Sequence, residues 1–339
     1  MGLAQCYIMK KIGILFFLGI LTLSALSCTG KDNPIIPDDT SGISFDKTNV
    51  SVGYTDAKVY GTLRIKGSPE RITQIRVVYG DSELNFQNTV VGSFDKDSRF
   101  SSDLVNLEDG KLYFYRVDII VGRTPIEGTV GSFVTFPKGP VDLDLPSGKK
   151  WASHNLGASV PTDKGNYYAW GETSTKDLYN WSTYKYCNGD YQRLTKYTTE
   201  ETYSATGIPD NFVNLQPVDD AATANMGDNW RTSTRQEWQE LIDNTTHEEV
   251  IINEVRGIKI SSKIDMNSNK KFIFVVYYPG AIDGTQFNDY GSRYWTATVN
   301  AGFLANQYAY VIVPGISGSF YTTSHSNRCS GHVVRAIYK

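Results

Sequence analysis

Residues 141–173 read VDLDLPSGKKWASHNLGASVPTDKGNYYAWGET. They hold Trp151 and Trp170, a Leu-Pro-Ser-Gly turn, and a run of glycine, asparagine and tyrosine with no helical period. A segment without that period cannot lay an apolar stripe along a helix, so short strands and turns must pack its rings. At 339 residues the chain has room for two folded units and a leader. A net charge of −3 gives no electrostatic case for nucleic acid, and no nucleic-acid partner is expected. The 22 Tyr and 15 Phe, against 4 His and 4 Cys, suit β-structure and binding surfaces better than acid–base chemistry.

The chain opens with a leader signature. Lys10 and Lys11 precede an apolar run, 12–26, that ends in Ala25-Leu26-Ser27-Cys28. A basic start, a short apolar core and small residues before a cut describe a signal peptide, and the run is too short for a membrane span. Cys28 after Ala-Leu-Ser resembles a bacterial lipobox, which implies acylation of that thiol and a lipid anchor. Met9 reads as the natural start of this signal, and Cys6 stands where a myristoylation signal wants Ser or Thr. Residues 29–41 are polar and broken by proline, as a tether is. Residues 1–28 are thus read as leader and 29–41 as tether, on a protein anchored to a membrane.

Alternation dominates 42–137. Val59, Gly61, Leu63 and Ile65 interleave with Lys58, Tyr60, Thr62 and Arg64, and Tyr113, Tyr115, Val117, Ile119 and Val121 repeat the pattern. Strands of this length, broken by Gly67-Ser68-Pro69, Asp109-Gly110 and Gly122-Arg123, predict an all-β sandwich. The stretch LEDGKLY at 107–113 resembles the tyrosine corner of fibronectin type III domains, with Asp109 where proline is usual. Such a unit serves either as an adhesive module or as a spacer.

The region 138–339 carries the strongest helix signal. Thr234-Arg235-Gln236-Glu237 is a Ser/Thr-x-x-Glu capping box, and Trp238, Leu241 and Ile242 share the face that follows it. Asp219-Asp220 supplies acids for an earlier helix start, and Gly227 its stop. Strands are expected at 271–278, 293–298, 307–313, 319–323 and 332–337.

The stretch at 141–173, the run DDAATANMGDNWRTSTRQEWQEL at 219–241, YWTAT at 294–298 and GHVVR at 331–335 together resemble the Fibrobacter succinogenes major paralogous domain, a module of surface lipoproteins of Bacteroidota. The resemblance implies an α+β, C-type-lectin-like domain over 138–339 and an outer-membrane, lipid-anchored protein at the cell surface or periplasmic face. It brings no established ligand. His154 and Thr245 stand where the family often has cysteines, as the loss of one optional disulfide would leave them. Ser233 replaces a proline, His247 a tryptophan, and VYYPG at 276–280 a Pro-Ala-Ala-Gly stretch.

Catalytic motifs are missing. His247-Glu248 begins like a zinc-protease motif, yet Ile251 occupies the place of the second histidine. GISGS at 315–319 is not a nucleophile elbow, and no phosphate or dinucleotide fingerprint occurs. Formylglycine-generating enzymes, which share the broad organisation of lectin-like folds, use a closely spaced cysteine pair near the C-terminus. Here Cys187 and Cys329 are far apart and are instead candidates for a disulfide. Asp142, Asp144, Asp219 and Asp220 read as turn or cap acids, or as calcium ligands. No metal, cofactor or catalytic residue is therefore assigned.

The positive signal is residues 286–328, where aromatic residues alternate with Gly, Ser, Thr and Asn. Rigid rings among small polar groups make recognition surfaces for a glycan or a protein. Ala309, Val311 and Val313 should face a core, with Tyr308, Tyr310 and Ile312 behind them. Arg293, Tyr308, Phe320, Tyr321 and Asn327 are the expected ligand-binding residues. Three functions stay open: a non-catalytic adhesion or binding module, an assembly component of an envelope complex, and an enzyme on a formylglycine-generating-like fold.

Overall fold

A strand that alternates apolar and polar residues puts its apolar set on one side, because successive side chains point to opposite faces. That rule builds the first region of the computed structural model, which describes residues 39–265, 269–288, 293–302, 306–314 and 320–339, without the side chains of 320–323. Cys28, the leader and residues 29–38 lie outside the described residues. The strands begin with β1 (Ile43–Val52), β2 (Ala57–Ile65), β3 (Ile72–Gly80), β4 (Asn88–Val91) and β5 (Ser93–Phe94). They continue with β6 (Arg99–Leu104), β7 (Leu112–Val121), β8 (Thr124–Glu127) and β9 (Gly131–Val134). One sheet has the order β1-β2-β6-β5; the other runs β4-β3-β7-β8, with β9 also on β7. Val59, Leu63, Val117 and Ile119 are buried in one core with residues of both sheets, so this region is a β-sandwich. Tyr113 folds back so that its hydroxyl accepts the Glu108 amide at 2.9 Å, closing the corner expected at 107–113.

The rest of the chain alternates long irregular stretches with short strands. First come β10 (Pro140–Val141) and β11 (Lys150–Ala152), then helix α1 (Ala221–Met226), β12 (Trp230–Thr232) and helix α2 (Arg235–Asn244). A hairpin and a third strand follow: β13 (Thr245–Ile252), β14 (Val255–Ser262) and β15 (Phe272–Val276). The chain closes with β16 (Ala281–Asp283), β17 (Gln286–Asn288), β18 (Tyr294–Val299), β19 (Tyr308–Pro314), β20 (Phe320–Asn327), β21 (Val333–Val334) and β22 (Ala336–Tyr338). Their sheets are β10-β11-β22-β12, β13-β14-β15, β16-β17 and β20-β19-β18-β21. Strands 245–252 and 255–262 were not anticipated, because their alternation is broken by Glu248-Glu249 and Gly257. The described residues are therefore mostly β-strand and irregular chain, with two α-helices.

Both helices start where the sequence expects. The Thr234 side chain accepts the Glu237 amide and the Glu237 carboxylate accepts the Thr234 amide, completing the capping box of α2. Trp238 and Leu241 are fully buried on its inner face, whereas Ile242 is half-buried. Asp220 caps α1, and Gly227 at φ 94° ends it in a backbone conformation that side chains other than glycine's resist.

Asp38–Lys339 forms one compact unit, and β15 explains why. Phe272, Phe274 and Val276 join the core of the sandwich, while Ile273, Val275 and Tyr277 join a second core with Trp238, Leu241 and Trp151. Packing thus runs across the sequence boundary at 137–138. Phe136 meets Phe272 and Phe274, each at 6.3 Å between ring centres. At the tip of the β13–β14 hairpin, Asn253 and Glu254 both have positive φ, as a tight two-residue turn requires. That turn aims Asn253 at the end of β1, where it exchanges two hydrogen bonds with the Val52 backbone at 2.7 and 2.8 Å.

A third core lies beyond the sheet β20-β19-β18-β21. It gathers Trp295, Ala309 and Val311 with Trp170, Tyr184, Tyr197 and other residues of the long loops.

Candidate functional site

Strand β19 has the two faces expected of it, but its second face is divided. Ala309 and Val311 are buried toward the loop core, with Val313 packed against it. Behind them Ile312 is fully buried against the core of α2, leaving Tyr308 and Tyr310 half-buried. Tyr308 stands across from Asn327 and Tyr310 across from His325 in the antiparallel ladder with β20. The Tyr308 and His325 rings lie 4.6 Å apart, tilted by 56°. From the first turn of α2, the Arg235 guanidinium covers Tyr310 at 4.4 Å. Each ring therefore has a partner that limits its rotation, and ordered rings lose less entropy on meeting a ligand.

The five residues picked from the sequence do not all converge here. Tyr308 and Asn327 are cross-strand partners on this face. Arg293 is half-buried just before β18, and its charge acts on His332, which meets Trp295 edge-on at 4.5 Å near the loop core. Phe320 and Tyr321 pair with Pro314 and Val313 in the backbone ladder, and their side chains lie outside what is described. Arg235 was missed, and His325, although it lies within 286–328, was not among the five, because only the fold brings the helix start and β20 to the same tyrosines.

A second constellation escaped the sequence reading altogether. The buried Asp219 carboxylate accepts from Lys196 Nζ at 2.5 Å, Lys185 Nζ at 3.2 Å and Tyr197 Oη at 2.6 Å. Burial by itself would raise its pKa, yet the hydrogen bonds from Lys196, Tyr197 and Lys185 overcome this and hold it at about 2. The repeated Lys-Tyr pairs at 185–186 and 196–197 were the only sequence trace of it. Arg328, fully buried above Trp170 at 4.9 Å, donates to the carbonyls of Lys196, Tyr197 and Asn306 and to the Tyr184 hydroxyl. These groups are occupied with one another and brace the loops packed behind β19, on the side of Ala309 and Val311.

The remaining expectations resolve as follows. Cys187 and Cys329 are buried free thiols and not a disulfide. The Cys187 thiol instead donates to the Trp181 carbonyl at 3.0 Å. Burial, with Asp283 nearby, pushes the Cys329 thiol up to about 12, so it stays protonated. Asp144 pairs with Lys271 and Ser262, each at 2.6 Å, and Asp220 accepts from the Ala222 and Thr232 amides. Among the described residues, no group of three His, Cys, Asp or Glu is placed to hold a metal. His247 lies in β13, where its ring meets the Thr245 hydroxyl at 3.0 Å.

No protein-family model and no curated protein matches the chain. Solved structures match only a part of it. A computationally redesigned β-sandwich protein is 23% identical, covering 27% of this chain and 93% of its own, with a TM-score of 0.23. The third fibronectin III domain of human KIAA0343 protein is 18% identical, covering 28% of this chain and 84% of its own, at a TM-score of 0.21. The sensor domain of the anti-sigma factor RsgI4 of Pseudobacteroides cellulosolvens is 14% identical over 28% of this chain and 92% of its own, at 0.20. Scores this low add nothing to the strand order and cores already described.

Proposed function

We propose that the chain is a lipid-anchored envelope protein whose fibronectin type III-like sandwich carries a non-catalytic binding module for a glycan or a protein. The module is read as a C-type-lectin-like member of the Fibrobacter succinogenes major paralogous family. The observation that carries the binding reading is the aromatic face of β19 and β20, where Tyr308 meets the tilted His325 ring and Tyr310 lies under Arg235. Half-exposed rings fixed by neighbours, beside the Asn327 amide, offer both an apolar contact and directional hydrogen bonds. The buried, protonated thiols of Cys187 and Cys329 favour binding over thiol chemistry. The lipobox-like Cys28 supports anchoring at the outer membrane.

A glycan and matrix-protein array probed with the mature chain tests the reading, with any hit remeasured for Tyr308→Ala and Asn327→Ala. Each should weaken binding about tenfold at an unchanged melting temperature. Full affinity in both variants would move the binding face elsewhere. In the same cells Cys28→Ala should lose fatty-acid labelling and membrane retention; unchanged labelling sinks the anchor.

The assembly reading has one feature in its favour. Ile208, Phe212, Val213 and Val218 are exposed along one loop, at 76%, 41%, 44% and 74%, and such a patch suits a protein partner.

A further inference from the structure

The sandwich carries a groove of its own. It has a volume of about 730 Å³ and lies on the face of β1, β2, β5 and β6 turned away from the core. That size falls within the roughly 300–1,000 Å³ of small-molecule sites. A bulge in β1 between Phe45 and Lys47 offsets the ladder there, and bulges of this kind bend and twist a strand.

The strand register arranges the groove in three cross-strand rows. The middle row is Asn49, Tyr60, Ser101 and Ser93, an amide, a phenol and two hydroxyls in line. On one side run Ser51, Lys58 and Asp103; on the other, Lys47, Thr62 and Arg99. Two of the three cations in the outer rows meet opposite charges: Lys58 lies 3.6 Å from Asp103, and Arg99 lies 3.9 Å from Asp97. Asp95 accepts the amides of Asp97 and Arg99, each at 2.9 Å. Glu254, at the hairpin tip of the second region, approaches the Tyr60 hydroxyl at 3.5 Å.

We propose that this face binds a neutral oligosaccharide chain. A sugar ring has an apolar C–H face and a rim of hydroxyls, and the middle row answers both with the Tyr60 ring and a line of amide and hydroxyl groups. A polyanion would need a row of unopposed cations, and here carboxylates stand beside Lys58 and Arg99, leaving Lys47 as a single exposed cation. An apolar peptide would strand the Asn49 amide, whereas the Ser93 and Ser101 hydroxyls, which bond each other at 3.0 Å, can turn to a sugar hydroxyl. The site is separate from the face of β19 and β20, so the chain would hold two sites on one compact unit, and a polymeric ligand could engage both.

The test is calorimetric titration of the mature chain with tetra- to hexasaccharides of the cello-, xylo-, manno- and malto- series, and separately with a sulfated oligosaccharide. Hydrogen exchange then locates the bound probe. At least one neutral series should bind and protect 47–62 and 93–101. Tyr60→Ala should weaken that binding tenfold or more, and Tyr60→Phe should keep most of it. If Tyr60→Ala fails to fold, Asn49→Arg, which fills the middle row, serves instead. Binding of the sulfated probe alone, no binding by any neutral series, or full affinity in Tyr60→Ala each overturns the proposal. Protection confined to 308–327 also overturns it while leaving the β19–β20 reading intact.

Discussion

The two regions of this molecule hold themselves together by different means. The sandwich is built from long strands whose backbone groups satisfy one another, and few polar side chains are buried in it: Ser102, Asp118 and Thr135. The second region has long stretches with no strand to satisfy its carbonyls and amides. Side chains do that work there. Arg328 donates to three carbonyls, Arg335 donates to the carbonyls of Ala152 and Phe274, and Asn306 accepts the amides of Thr199 and Glu200. Irregular backbone can be buried only if each polar group finds a partner, and a guanidinium with five donors in a plane can serve several carbonyls at once. Sheet order and buried cations are thus two solutions to one problem.

Removing a cation should break the comparison most sharply. Arg328→Leu is expected to cost about 3–5 kcal/mol, since three carbonyls and a phenol lose their donor in a dry core. Arg328→Lys should fail nearly as badly, because an ammonium lacks the planar fork. In the sandwich Ile119→Val should cost only about 1 kcal/mol, because one methylene is lost from a core whose hydrogen bonds are intact. Denaturant midpoints of the three variants decide the matter. If Arg328→Leu proves as mild as Ile119→Val, the loops are held by something else.

A second difference lies in the response to acid. All 4 histidines, at 154, 247, 325 and 332, belong to the second region. His332 is fully buried with its Nε2 at 2.7 Å from the Ser326 hydroxyl. Burial, reinforced by the Arg293 charge, pulls its pKa down from 6.5 to about 3. The unfolded chain therefore takes up this proton before the folded one does. Its contribution to stability is complete above the unfolded pKa and is lost as pH falls from 6.5 toward 3, by up to about 1.4 kcal/mol per pH unit. Urea denaturation between pH 7.5 and 4.5 should show a shallower decline in His332→Gln than in the wild type. Equal slopes would mean that the ring titrates freely in the native state.

The smallest effect sharpens the comparison from the other side, because α2 follows a local rule inside a region that mostly does not. Thr234→Ala should lower stability by about 1 kcal/mol, read as a modest fall in melting temperature. The Arg231 guanidinium also holds the Glu237 carboxylate, with one bond at 2.8 Å. An unchanged melting temperature would show that this pair fixes the helix start alone.

Legibility followed the same division. Sequence spacing located β2, β7, the corner at Tyr113 and the cap at Thr234, since each depends on residues close along the chain. The candidate face was half legible: alternation put Tyr308 and Tyr310 together, but nothing local revealed Arg235 above Tyr310 or His325 beside Tyr308. The expected partnership of Cys187 and Cys329 failed because membership in one core does not supply the orientation a disulfide needs. Arg293 was placed with the tyrosines by density of composition, and the fold leaves it half-buried ahead of β18, where its charge acts on His332.

By itself the sequence determined which segments alternate, where the helices begin, and that the rings near Trp151 and Trp170 must be packed without a helical stripe. Those properties come from covalent neighbours, and a period of two or a capping box four residues long is complete within one stretch of chain. The tertiary structure alone decided that β15 would serve two cores, that Asn253 would grip the end of β1, and that Arg328 would be buried without a carboxylate. Each of these joins residues far apart in sequence. Which distant carbonyl lacks a partner is settled only when the chain has closed around it.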